Sequence, residues 1–164
     1  MNTIQGAADS KDLTKVLSSF FIDNGGTLNL LAGIDEREME AVYALAYRHY
    51  NQAHWNDALR LFTVLCLYDH LDRRFHVGRA ASLQMLKRHE EALHVWGFAL
   101  LMDMTDPQAS FHIAECLIAL GRREDARTAL EAVVSAAEEL PEQADIGRRA
   151  QALAALLQPA KEAA

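Results

Sequence analysis

The chain has little of what small secreted or fibrous proteins depend on. Its 164 residues include two cysteines, three prolines and eight glycines. Two cysteines, Cys66 and Cys116, are too few for a disulfide framework and suit a reducing cytoplasm, where they read as small core residues. So few prolines and glycines leave long helices uninterrupted. A basic excess is also missing. Sixteen Lys+Arg stand against 23 Asp+Glu, a net charge of −7, whereas nucleic-acid binders ordinarily need a cationic surface to neutralise phosphates. No apolar run approaches the roughly 20 residues a membrane-spanning helix needs. Met1 to Lys11 is polar and lacks the basic-then-apolar order of a secretory signal. These absences exclude a disulfide scaffold and argue against a nucleic-acid partner and direct membrane insertion.

What is present is the material of a folded helical domain: 51% apolar and 24% charged residues, with Leu, Ala, Glu and Arg abundant. Three segments align when set one under another: WNDALRLF from Trp55, HEEALHVW from His89 and REDARTAL from Arg123. Their shared alanines are Ala58, Ala92 and Ala126, and a second set lies upstream at Ala46, Ala80 and Ala114, with every step 34 residues. That is the tetratricopeptide period. Small side chains let the two antiparallel helices of each unit approach closely. The large residue four places later (Phe62, Trp96, Leu130) fills the gap toward the next unit. Repeat two carries His76 and Arg79 where an aromatic residue and a leucine are usual, and no repeat ends on the customary proline.

The expected fold is therefore all-α, with three tetratricopeptide repeats (39-72, 73-106, 107-140) in a short right-handed solenoid. A helical leader occupies 1-38, and a C-terminal capping helix and tail occupy 141-164. Solenoid ends are apolar and need covering. In the tail, Pro141 suits a first helical position, Ile146, Ala150, Leu153 and Leu157 form a stripe, and Pro159 ends it. In the leader, Leu13, Val16, Leu17 and Phe20 share a stripe. Asn24-Gly25-Gly26-Thr27 reads as a tight turn followed by a Thr N-cap. Asp35 with Glu38 reads as a capping box, and Asp106 before Pro107 opens repeat three.

Helix A of each repeat lines the concave face of such a solenoid. Counting from Met39, Arg73 and Pro107, the inward places are Glu40, Tyr43, Tyr47 and Tyr50, then Arg74, Val77, Ala81 and Gln84, then Gln108, Phe111, Glu115 and Ile118. Three of the chain's four tyrosines thus share one helix face. Tyrosine combines broad apolar area with a polar tip and is enriched at recognition surfaces. An aromatic stripe at helical spacing can equally be core, but here the register assigns the core to Val42, Leu45 and Ala46. Small Val77 and Ala81 leave room between aromatic walls for the side chains of an extended peptide.

Several stretches resemble the tetratricopeptide-type (class II) chaperones of bacterial type III secretion, the LcrH/SycD/CesD family. They are DNGGTLNLL (Asp23 to Leu31), AVYALAYRHYNQAHWNDALRLF (Ala41 to Phe62), LCLYDHLDRRFHVG (Leu65 to Gly78) and FHIAECLIALG (Phe111 to Gly121). The similarity runs from about residue 13 to 135, and the GGTL and LYDH segments are more specific than the repeat itself. The resemblance implies a cytoplasmic bacterial chaperone that keeps secretion translocators soluble and export-competent by holding an extended, proline-flanked segment in the concave groove. It implies that the aromatics matching Tyr43, Tyr47 and Tyr50 line that groove, and that Tyr68 contributes a large apolar position. It also implies self-association through the N-terminal helix, involving Leu13, Val16, Leu17, Phe20 and Phe21; Phe20, Phe21 and Ile22 together overfill a single stripe.

Three other readings fit the sequence less well. A carboxylate-clamp co-chaperone needs Lys and Asn where Tyr43 and Tyr47 stand, and Glu40 and Glu115 would repel an acidic tail. A generic tetratricopeptide scaffold or assembly adaptor of another pathway shares the repeat but not the flanking segments. An enzyme or metal site would rest on His112 and Cys116, four apart on a helix with Glu115 beside them, without a second ligand pair. Seven scattered histidines and no Gly-rich phosphate loop add nothing to it. The expectation is stoichiometric binding without turnover, with no cofactor and no metal.

Overall fold

The computed structural model describes residues 15–139 and 143–157. Among these residues the chain is helical without strands. A leader helix α1 (described over 15–23) closes in a π-helical turn at Ser19–Asp23 and is followed by α2 (Leu28–Ala32), α3 (Glu36–Asn51) and α4 (Trp55–Tyr68). Then come α5 (Arg73–Met85), α6 (His89–Met102), α7 (Pro107–Ala119), α8 (Arg123–Glu139) and α9 (Ala144–Leu157). From α3 onward each helix packs on the next, and α3 also meets α5 as α7 meets α9. This is the nearest-neighbour stacking of a helical-repeat solenoid.

The repeated alanines explain the stacking. Ala46, Ala58, Ala80, Ala92, Ala114 and Ala126 all have no exposed surface. Methyl side chains at these crossings bring the helix axes together, and the large residues Phe62, Trp96 and Leu130, at 2% exposure or less, fill the space beyond. The same period governs the turns. Ala53, Lys87 and Gly121 hold left-handed backbone between helices A and B. In each turn the next amide N–H reaches back to a helix carbonyl: His54 to His49, Arg88 to Leu83 and Arg122 to Leu117, all at 2.9 Å. These are the bonds of a Schellman helix stop. Between repeats, the Asp72 and Asp106 carboxylates accept from the Arg74 and Gln108 amides at 2.9 and 2.8 Å and cap α5 and α7.

Several local expectations are met. The Asp35–Glu38 capping box is formed in both directions, at 2.8 and 3.0 Å, and α3 accordingly begins at Glu36, ahead of Met39. Ile146, Leu153 and Leu157 pack with fully buried Ala150 against Leu130 and Val133, so α9 covers the open side of repeat three. Others are corrected. Thr27 precedes α2 with extended backbone, but its hydroxyl donates to the Asn29 side chain and does not cap the helix. Of the assigned core residues in α3 only Ala46 is buried, while Val42 and Leu45 are half-buried. The leader is a poor cap. Val16 (61%), Leu17 (41%) and Ile22 (79%) are exposed, and half-buried Phe20 and Phe21 meet edge to face at 5.1 Å. Leu13, Pro141 and Pro159 lie outside the described residues.

His76 is not a groove residue. It is buried, its ring packs on Phe98 with centroids 4.7 Å apart, and its Nε2 lies 3.0 Å from the His70 carbonyl. Burial lowers its pKa below the ordinary 6.5 in spite of that hydrogen bond. A lowered folded-state pKa means that the unfolded chain takes up the proton first, so stability falls as pH drops below 6.5 toward the folded value. Denaturant midpoints measured from pH 7 down to 5 should show this loss, and His76→Gln should flatten that slope. An unchanged slope would show that His76 does not contribute to it.

Candidate functional site

The inner face of the first two repeats holds an open channel of about 270 Å³. Tyr43, Tyr47 and Tyr50 form one wall, projecting from a single face of α3 at spacings of four and three. Val77, Gly78 and Ala81 of α5 form the floor, with Phe62 of α4 behind them. Trp96 of α6 and Gln108 and His112 of α7 form the far wall, and Arg73 and Arg74 stand at the mouth.

The tyrosine stripe is both wall and core. Tyr43 stacks on Tyr47 at 6.4 Å on one side and meets Phe62 edge-on at 6.0 Å and Phe75 at 5.7 Å on the other. Tyr43 and Tyr50 are half-buried against the first core, whereas Tyr47 is 53% exposed. Burial raises the pKa of both the Tyr43 and Tyr50 phenols, with Arg74 partly opposing it at Tyr43. Both are therefore neutral at physiological pH.

Gly78 explains why the floor is low. A Cβ placed there would lie 2.3 Å from the Phe62 ring, so the ring occupies the space a side chain would take. Alanine in place of a mid-helix glycine normally stabilises by about 0.5–1 kcal/mol, but forcing the ring aside costs about 1–3 kcal/mol. The second effect wins. Gly78→Ala should lower stability by about 1 kcal/mol in urea denaturation and weaken occupancy of the channel. A stabilised variant would show that Phe62 yields without cost.

The charges at the mouth are already committed. Arg74 bonds Asp72 at 2.6 Å and Glu40 at 2.5 Å, with its guanidinium 5.0 Å from the Tyr43 ring centre. Those carboxylates raise its pKa further. Arg73 bonds Asp106 at 2.6 Å and the Ala99 carbonyl at 3.0 Å. Neither arginine is left to clamp a terminal carboxylate. At the far wall the Trp96 indole N–H donates to Gln84 at 3.0 Å, the Gln84 amide donates to Glu115 at 2.8 Å, and His112 lies 2.8 Å from the same carboxylate. His112 stacks on Trp96 at 4.6 Å. Burial pushes the Glu115 pKa up, but hydrogen bonds from His112 and Gln84 outweigh it and hold it below the ordinary carboxylate value.

The structure thus brings Tyr43, Tyr47, Tyr50, Val77 and Ala81 together around the channel and sets Gln84 and Glu115 in the network behind its far wall. It places the remaining expected residues elsewhere. Phe111 is 3% exposed in the third core, because α9 covers the inner face of α7. Tyr68 packs on the first core, and half-buried Ile118 does not line the channel. Phe62, Gly78, Arg73, Trp96 and His112 line the channel without having been assigned to it by the register, which reads Phe62 and Trp96 as fillers between repeats. A glycine in mid-helix one turn from Ala81 was the legible signal. Cys116 has no exposed surface, packs in the second core, and has its thiol pushed up to about 11 by burial. Among the described residues no three His, Cys, Asp or Glu side chains are grouped to hold a metal ion.

Stacked helix pairs with alanines at every crossing define a tetratricopeptide solenoid. Tetratricopeptide repeat models match residues 39–72 and 83–157. Low calcium response locus protein H of Yersinia pestis is 32% identical over 126 residues, 77% of this chain and 74% of that protein. A type III secretion complex from Aeromonas hydrophila superposes with a TM-score of 0.82 at 29% identity, covering 87% of this chain and 95% of its own. PcrH, known from Pseudomonas aeruginosa and solved in complex with the chaperone binding region of PopD, has a TM-score of 0.73 at 33% identity, covering 76% and 94%. The chain belongs to the LcrH/SycD family of tetratricopeptide-type type III secretion chaperones.

Proposed function

We propose that this chain is a cytoplasmic chaperone that holds an extended segment of a secretion translocator in the channel between α3 and α5, stoichiometrically and without turnover. The observation that carries this is the channel itself. Three tyrosines face small Val77, Gly78 and Ala81, with the neighbouring arginines already paired. Such a surface favours aliphatic side chains of an extended strand and offers no free cation at its mouth to a bare acidic terminus. A family relative solved with the chaperone binding region of a partner supports the same reading. Among the described residues no helix is long and apolar enough to cross a membrane. The exposed leader residues Val16, Leu17 and Ile22, with Phe20 and Phe21 beside them, fit self-association through α1.

Co-expression with a translocator encoded in the same genome tests this. The translocator should be soluble and co-purify with the chain at a fixed ratio, and should be insoluble when expressed alone. Recovery of soluble translocator without the chain would overturn the proposal.

A further inference from the structure

The inner channel does not stop at α7. A second cavity of about 280 Å³ lies between α7 and α9, and Gln108 and His112 line both. The two are neighbouring compartments on one concave track, but the second is lined by different chemistry. Its base is the buried Phe111 ring, and the Arg149 guanidinium lies over that ring, 4.5 Å from its centre.

The charges around this cavity are unequally committed. Asp106 is held by Arg73 at 2.6 Å, and Asp145 is bonded to Arg148. Glu115, on the far side of His112, is held by His112 and Gln84. Arg149 alone among the cavity's charged side chains makes no ion pair with any described residue. In the same wall, Gln143 Oε1 is buried and has no hydrogen-bond partner among the described residues. Buried acceptors are rarely left unpaired, because desolvation without a partner is costly. A guanidinium laid on an aromatic face keeps its N–H edge available to an acceptor.

We propose that this cavity is a polar subsite of the peptide channel. Arg149 takes the carboxylate of an acidic side chain in the bound segment, and Gln143 hydrogen-bonds its main chain. The inference rests on the peptide-binding reading above. A basic side chain would be repelled by Arg149, and an apolar one would leave Arg149 and Gln143 desolvated without partners. The carboxylate lies a few residues from the apolar anchors that fill the tyrosine channel, since both compartments share the α7 wall. Arg149, the one charged side chain of this cavity without an ion pair to a described residue, is a cation at a fixed place and sets both the register and the direction of the segment.

Overlapping synthetic peptides tiling the co-purified translocator provide the probe, read by fluorescence anisotropy at low and high salt. The binding peptide should carry an acidic residue beside its apolar anchors. Changing that residue to its amide should weaken binding to the native chain about five-fold. Arg149→Gln should weaken the unmodified peptide by a similar factor and reduce its salt dependence. The amide peptide should bind Arg149→Gln no worse than it binds the native chain. That coupling separates a direct contact from a general effect on α9, and circular dichroism checks that α9 remains folded. Binding that is indifferent to Arg149→Gln, or a binding peptide without an acidic residue, overturns the subsite while leaving the tyrosine channel standing. Failure of every peptide to bind the native chain overturns both.

Discussion

Ala81→Glu should abolish translocator binding and leave the solenoid folded. Ala81 is half-buried on the inner face of α5, in the channel floor beside Val77 and opposite the tyrosine wall. A carboxylate there enters an apolar space whose nearby cations are taken, Arg73 by Asp106 and Arg74 by Asp72 and Glu40. A bound segment would have to desolvate that charge without a partner, so affinity should fall by about 100-fold or more. Glutamate is itself a good helix former, and its side chain can turn to solvent in the unbound chain. Helicity and thermal midpoint should therefore change little. A folded Ala81→Glu chain that still recovers translocator would remove the channel from the account.

The largest expected effect on stability is at Phe62. It is 1% exposed, lies against Gly78 and meets Tyr43 edge-on at 6.0 Å. Phe62→Ala removes a ring from the junction of repeats one and two, where rigid helices on both sides limit collapse of the cavity. The cost should be about 3–5 kcal/mol in urea denaturation, a large fraction of the stability of an ordinary domain. Tyr47→Ala is the contrasting case. Its side chain is 53% exposed, so truncation should cost little stability but about 2 kcal/mol of binding. Loss of less than about 1 kcal/mol at Phe62 would mean that the repeat junction is looser than the packing indicates.

The period was legible because close helix crossings tolerate only a methyl group. Six alanines at steps of 34 mark six crossings, each fully buried. The placing of the three tyrosines on one inner face was legible from helical spacing taken with the repeat register. Their double nature was not, since a ring on the inner face can also lean on the next helix, as Tyr43 does on Phe75. Phe111 occupies the same repeat position as Tyr43, yet it is buried because α9 continues the stack; a repeat count cannot show what covers its last member. His76 departs from the repeat pattern but lies away from the channel, packed on Phe98, so the floor made by Val77, Gly78 and Ala81 is unaffected. The polar links were within reach. Glu40 with Arg74 and Arg73 with Asp106 join positions about one repeat apart, and aligning charges as well as alanines would have paired them. The leader's apolar stripe was legible as well, and Val16, Leu17 and Ile22 stand exposed on it.

The most direct test of the central claim is site-specific photo-crosslinking in the co-expressed complex, with a photoreactive phenylalanine analogue placed at Tyr47 or at Leu67. Both side chains are more than half exposed, at 53% and 62%, but only Tyr47 lines the channel. A translocator adduct from position 47, lost in the Ala81→Glu background and absent from position 67, is the predicted result. An adduct from position 67 with none from position 47 would contradict it.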